Sequence, residues 1–368
     1  MGSQGNDEIS REISLAKDRL QKKLTALDLG SLGITEYNQR YLGDKLKNIG
    51  RGLDLYGYLL RLCLSNSSLP IQQSVFVDYG GGSGVLSYLA KEVGIGKVIY
   101  VDIYEGSCND VEIISKALGL PLDHIICGDV DELVSFVQSN SISVNSIASY
   151  DVLEHIYDVE DHFKKLAALQ DNHFRIVYAS GANIKNPRTV KNLKQKQLEC
   201  EHRSRQKVWG HKERDSLRAY YDIRKEIIAS YAPELGSNEV EEIARITRGL
   251  MTPDIMACVD EYRHNGYITY SNDHPTNTCD PYTGNWCEHL MEPEWLERVL
   301  KESGYSVEIM SGYFHSSTSH SFPKRIAASV LDNLISRLGR HGLFIAPYFI
   351  VFAEHNVQQE ASKSSPHV

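Results

Sequence analysis

No run of apolar residues in this chain approaches the roughly 20 that a membrane-crossing helix needs, so no span is expected. Nor is there a Cys-x-x-Cys pair. The seven cysteines, at 63, 108, 127, 200, 258, 279 and 287, are odd in number and scattered, which predicts reduced thiols rather than a disulfide framework or a zinc site. Positive charge is also short: 39 Lys and Arg face 48 Asp and Glu, a formal net charge of −9. That balance, with no RNA-recognition module visible, argues against a nucleic-acid partner. The opening stretch "MGSQGNDEIS" lacks both the basic and the apolar region of a secretory signal, so a cytoplasmic location is expected. No internal repeat is evident.

What is present is ordinary for a globular protein: 42% hydrophobic and 24% charged residues over 368 positions, enough for one large core with an insertion or for two domains. Residues 8–64 carry apolar positions at three- and four-residue spacing and read as helical, a cap over 1–70. Within it Tyr37 and Tyr41 fall on one helical face. From Val75 the rhythm alternates. Strands are expected at 75–79, 97–103, 124–127, 146–152 and 174–180, with helices at 84–92, 108–118, 131–138 and 159–170 between them. Such alternation implies βαβ units and a doubly wound parallel sheet. From 183 to 285 it gives way to a long polar segment read as a helical insertion, with Thr252 as an N-cap and Pro253 at the first helical position. Core character resumes over 286–355, with a helix ending at Gly304, a strand after it and a last strand at 348–354. The tail 356–368 is expected to be disordered.

The densest signal is "VFVDYGGGSG", a buried strand that enters a glycine turn, Asp78-x-Gly80-x-Gly82-x-Gly84, with Gly81 inside it. A dinucleotide fingerprint needs Gly-x-Gly-x-x-Gly, and counting from Gly80 or Gly82 the sixth position is Val85 or Ser87. Asp78 would also repel a pyrophosphate. A cofactor bearing positive charge suits it better, which points to a sulfonium with an amino-acid tail.

These residues resemble the first motif of class I S-adenosylmethionine-dependent methyltransferases, over roughly 72–181 and 286–354. "SYDVLEHI" and "WCEHLMEPEWLERVLKESGY" are similar to segments of their ubiquinone-biosynthesis-like branch. The resemblance implies an α/β, Rossmann-like seven-stranded sheet and S-adenosylmethionine as cofactor. Asp78, Gly80, Gly81, Gly82 and Gly84 would form the turn that receives it. Asp102, 18 residues after Gly84, would hold the ribose hydroxyls, with Ile103 beside it. Asp129 would meet the adenine amine, and the Val130 N–H a ring nitrogen. Asp151 closes the fourth strand. Four acids in register at successive strand ends lie where open α/β sheets bind ligands.

Methyl transfer to a hydroxyl needs a base, and Glu154 and His155, just past the fourth strand, are the leading candidates, with His289 second. Tyr37 and Tyr41 could close over the cofactor or be plain core tyrosines. Asp151, Asp158, Asp161 and His162 are close in sequence, but their spacing suits an acid-rich helix start better than a metal site, and no metal is expected. Between Lys185 and Lys225, Lys and Arg outnumber Asp and Glu by 13 to 5. This is either a solvated helix face or an electropositive lid selecting an anionic or nucleotide-linked sugar acceptor. The loop "YSNDHPTNTCDPYTGNW" suits recognition of a polar ring, or is a plain surface loop. The expected activity is O-methylation of a small polar or glycan-like acceptor. N-methylation, a nicotinamide-dependent oxidoreductase, a non-catalytic scaffold and assembly as a homo-oligomer remain open alternatives.

Overall fold

The computed structural model describes residues 2–65, 69–169, 174–206, 215–315 and 322–355. The chain forms two compact units. The first takes in Met1–Val152, Glu160–Ser180 and Pro293–Val368, and the second Leu153–Val159 and Gly181–Glu292.

The first unit opens with α1 (Gly2–Ala26), α2 (Glu36–Leu46) and α3 (Ile49–Leu64). It continues β1 (Val75–Tyr79), α4 (Val85–Val93), β2 (Lys97–Asp102), α5 (Glu105–Ala117), β3 (His124–Cys127), α6 (Val130–Ser139) and β4 (Ser146–Tyr150). Then come α7 (Val159–Leu166) and β5 (Arg175–Ser180). The second unit holds α8 (Pro187–His202), α9 (Tyr220–Tyr231), α10 (Ser237–Ile246) and α11 (Thr252–Asn265). The chain returns to the first unit with α12 (Pro293–Glu302), β6 (Tyr305–Ser311), α13 (Phe322–Leu338) and β7 (Phe349–His355).

The seven strands form one sheet in the order β3-β2-β1-β4-β5-β7-β6. Strands β1 to β5 are parallel, and β7 runs antiparallel between β5 and β6. This is the Rossmann-like seven-stranded sheet expected of the sequence, with one reversed strand that the alternation of elements does not disclose. Its central strands are buried on both faces, which is why they read as unbroken apolar runs. The order reverses between β1 and β4, and the crevice beyond strand ends at such a switch point is where open sheets take ligands.

The N-terminal helices share the core of this unit. Ile13, Ala16, Leu20 and Leu24 of α1 recur at helical spacing and are buried with Leu53, Leu59 and Leu60 of α3. Gly57 of α3 lets α1 approach, since a Cβ there would stand 3.0 Å from Ile13 Cγ2. Arg19 and Lys23 clasp Glu92 of α4 at 2.7 Å each. In the second unit Ile228, Val240, Ile243, Ile255 and Val259 make a separate apolar core.

Several boundaries differ from expectation. Strand β2 ends at Asp102, leaving Ile103 exposed, and β4 ends at Tyr150. Thr252 is the first residue of α11 and Met251 the N-cap. The Thr252 hydroxyl donates to the Pro281 carbonyl (2.9 Å) instead of capping its own helix. The insertion is helical only as far as Asn265. Helix α13, absent from the sequence reading, precedes β7. The tail expected to be disordered, 356–368, lies outside the described residues. Among the described residues no helix is long and apolar enough to cross a membrane.

Candidate functional site

The glycine turn caps the C-terminal end of β1. Gly80 N and Gly81 N both donate to Val101 O of β2, at 2.8 and 3.1 Å, and Gly84 N donates to Gly81 O at 2.9 Å. Gly80, Gly82 and Gly84 have φ of 67°, 53° and 76°, in the left-handed region that glycine alone enters freely. Space is as tight as conformation. A Cβ on Gly80 would stand 2.4 Å from Val152 Cγ2, one on Gly81 2.5 Å from the Tyr100 ring, and one on Gly84 2.4 Å from Val111 Cγ2. At Gly82 the nearest atom is the Tyr41 ring, at 3.4 Å. Asp78 lies buried with its Oδ2 accepting from Ser87 N (2.9 Å) and Ser87 Oγ (2.7 Å), so it fastens the start of α4. Burial pushes its carboxyl up to about 6, although the Ser87 donors pull the other way.

Asp102, at the end of β2, is buried and bonded through both oxygens: Oδ2 accepts from Gly82 N at 2.9 Å, Oδ1 from Tyr104 N at 2.8 Å. Each oxygen keeps capacity for one further donor. Past β3, Asp129 is the N-cap of α6; its Oδ1 accepts from Asp131 N (2.8 Å) while Glu132 Oε2 accepts from Asp129 N (2.9 Å), a capping box. Burial raises the Asp129 carboxyl above its ordinary range. Val130 is the first residue of α6, where backbone N–H groups have no intrahelical acceptor. Asp151, exposed and at φ 55°, donates its N–H to Ala179 O at 3.0 Å.

Helix α2 lies against this edge. Tyr37 and Tyr41 stack with ring centroids 5.8 Å apart, and Tyr37 meets Tyr104 edge to face at 5.3 Å. The start of α2 is tied to α5 through buried Asp110, whose carboxylate accepts from Thr35 N (3.1 Å), from the Thr35 hydroxyl and from Asn38 Nδ2 (2.7 Å).

In the second unit Glu154 and His155 occupy a 3-10 turn, Leu153–His155. Glu154 is buried, and its Oε1 accepts from Gly181 N at 3.2 Å. His155 Nδ1 lies 2.9 Å from Trp286 O. A carbonyl only accepts, so Nδ1 carries a hydrogen, and in the neutral imidazole the lone pair is on Nε2. Trp286 Nε1 in turn donates to Tyr157 O at 3.1 Å, and the His289 ring stacks on the indole at 4.0 Å. His289 Nε2 is 2.9 Å from Asp273 Oδ2. The two histidines singled out in the sequence therefore converge on Trp286.

Of the ten basic residues described between Lys185 and Lys225, five pair with a carboxylate. Lys185 pairs with Glu292, Lys196 with Glu288, Arg218 with Glu226, Arg224 with Glu201 and Lys225 with Asp222. Lys207, Lys212 and Arg214 lie outside the described residues. Of the acids and histidine considered for a metal, His162 is buried beside the Tyr178 hydroxyl at 3.1 Å, with its imidazole lowered to about 3 by burial, and Asp161 pairs with Lys165. Among the described residues no group of three His, Cys, Asp or Glu is arranged to hold a metal ion.

No family model matches the chain, and no curated protein does. Solved structures do. One is the plantazolicin methyltransferase BpumL in complex with SAH, 12% identical over 95% of this chain and 99% of that one, with a TM-score of 0.38. A putative S-adenosylmethionine-dependent methyltransferase from Listeria monocytogenes is 10% identical over 84% and 99%, with a TM-score of 0.39. A complex between the Haloferax volcanii Trm112 methyltransferase activator and a putative methyltransferase is 12% identical over 85% and 95%, with a TM-score of 0.38.

Three residues beside the turn escaped the sequence reading: Tyr104, which donates its N–H to Asp102; Asp110, which anchors α2; and Lys45, whose Nζ stands 4.5 Å from the Tyr41 ring centroid. Tyr104 could have been noticed as an aromatic two positions past a strand-end acid. Asp110 and Lys45 carry no local signal, because their partners are distant in sequence or lie on ring faces.

Proposed function

We propose that the chain is an S-adenosylmethionine-dependent methyltransferase of the class I kind. In this reading the first unit binds the cofactor and the second unit the acceptor, a small polar or glycan-like molecule methylated at oxygen. The observation that carries it is the direction of the turn's N–H groups. Gly80 and Gly81 donate to Val101, Gly82 to Asp102 and Gly84 to Gly81. A pyrophosphate is held by free backbone N–H groups, and these four are already engaged. That disfavours a dinucleotide and suits a cofactor that brings cationic sulfur to the turn.

The sheet order then supports an extended ligand. Asp129 and Val130 follow β3, Asp102 ends β2 and the glycine turn follows β1, on three adjacent strands. Adenine, ribose and sulfonium would lie across them in that order, with the free lone pairs of Asp102 accepting from the ribose hydroxyls. Tyr41 would cover the turn and keep water from it. The bound cofactor supplies an activated methyl group on sulfur. The Nδ1 hydrogen bond to Trp286 O fixes the tautomer of the neutral His155 ring with Nε2 as its basic nitrogen, which supports a base for a hydroxyl acceptor.

Calorimetric titration with S-adenosylhomocysteine and, in parallel, NADH tests the reading. Micromolar binding of the former alone, on the order of −8 kcal/mol, is expected. Asp102→Ala should abolish it. Binding of NADH alone would overturn the reaction class, and full affinity in Asp102→Ala would remove the ribose role.

A further inference from the structure

We infer that Lys45 holds the carboxylate of the cofactor's amino-acid tail, an inference that rests on the methyltransferase reading and adds a residue outside the sequence motifs to it. Lys45 lies near the end of α2, half-buried, with Nζ 4.5 Å from the Tyr41 ring centroid and 5.6 Å from that of Tyr56. It donates to the Tyr56 hydroxyl at 3.0 Å. Among the described residues no carboxylate stands within ion-pair distance of it, whereas Lys17, Lys23, Lys91, Lys165, Lys185 and Lys196 each have one. An ammonium offers three donors, and a phenol oxygen takes one. The buried Asp78 carboxyl feels the Lys45 charge but does not pair with it, and a cation withdrawn from water against aromatic rings still has donors that a closer anion would take.

Its place in the fold says which anion. Tyr41 touches both partners: one edge comes within 3.4 Å of where a Gly82 Cβ would stand, and its face receives the Lys45 ammonium. Tyr56, the other ring under Lys45, meets Tyr150 edge to face at 6.0 Å, and Tyr150 is the last residue of β4. Lys45 therefore sits on the β4 side of the turn, and Asp102 on the β2 side. A ligand with its ribose at Asp102 and its sulfur at the turn must run its tail toward β4. That tail ends in an ammonium and a carboxylate. Lys45 is the cation waiting on that side, and the rings beneath it exclude the water that would weaken the pair.

The test uses two ligands, S-adenosylhomocysteine and its decarboxylated form, which keeps the ammonium and lacks the carboxylate. Wild-type protein should bind the first about 10- to 100-fold more tightly, as loss of one charged hydrogen-bonded contact implies. Lys45→Met, which keeps the apolar stem, should lose that preference by weakening only the carboxylated ligand. Lys45→Arg should retain most of it. Equal affinity of the wild type for the two ligands overturns the inference without any variant. So does a Lys45→Met protein that binds both as the wild type does, or weakens both equally, which would make Lys45 a support for Tyr41. Wild-type protein that binds neither ligand overturns the methyltransferase reading itself, and the inference with it.

Discussion

Burial and hydrogen bonding pull the Asp78 carboxyl in opposite directions, and burial prevails. Its folded value of about 6 stands above the ordinary 3.8. Below about pH 4 the group is protonated whether the chain is folded or not. Between about 4 and 6 the unfolded chain has released the proton and the folded one keeps it, so stability attributable to this group falls as pH rises. Above 6 the loss is complete, on the order of 2–3 kcal/mol for a shift of this size. Asp78→Asn keeps an oxygen for the Ser87 donors and removes the titration. The variant should therefore gain stability relative to wild type as pH goes from 4.5 to 7.5, by about 2 kcal/mol in urea unfolding. A difference that stays flat across this range would mean that Asp78 does not titrate there. The glycine spacing that places this acid was readable because turn conformation is local. Its partner Ser87, nine positions on, was not, because the whole turn between them must fold before the two meet.

At the scale of elements, α2 brings Tyr37 and Tyr41 to the turn, and one carboxylate ties down its start. One buried carboxylate, Asp110, collects two donors from Thr35 and one from Asn38, which is itself fully buried. Asp110→Ala strands those donors at a cost of about 1–3 kcal/mol each where water cannot reach them. The expected result is local: amide exchange over 36–46 at least about tenfold faster, a weaker S-adenosylhomocysteine affinity and unchanged protection in β1 and β4. Unaltered exchange over 36–46 would show that Leu42 and the apolar face hold the helix without Asp110. Tyr37 and Tyr41 were readable as one face because the i, i+4 relation is intrinsic to a helix. What they cover was not, since α5, which anchors α2, lies about 70 residues on. Helix α13 was missed for a different reason. Ile326, Val330, Leu334 and Leu338 repeat every fourth residue but are all exposed, and a polar run precedes them. The reversed β7 reads as any buried strand, because direction leaves no mark in apolar content.

Across the whole molecule, two units with separate apolar cores imply that cofactor binding and the integrity of the insertion are separable properties. The second unit is held by a buried ionic cluster. Glu201 accepts from Arg224 and, through the same oxygen, from Arg248 Nε at 3.1 Å, and its other oxygen accepts from Thr278 Oγ1 at 2.7 Å. Burial works against its charge, and the two guanidiniums outweigh it and hold the carboxyl below its ordinary range. Replacing such a pair by apolar groups can be neutral, but removing one member leaves the other charged and dry, at about 3–5 kcal/mol. Glu201→Gln does that to Arg224, which is wholly buried and already has one nitrogen, Nη1, without a partner among the described residues. The variant should become sensitive to limited proteolysis within 181–292 while its affinity for S-adenosylhomocysteine stays within about twofold of wild type. A parallel fall in that affinity would mean that the second unit shapes the cofactor site as well, and that the acceptor and cofactor roles cannot be divided between the two units.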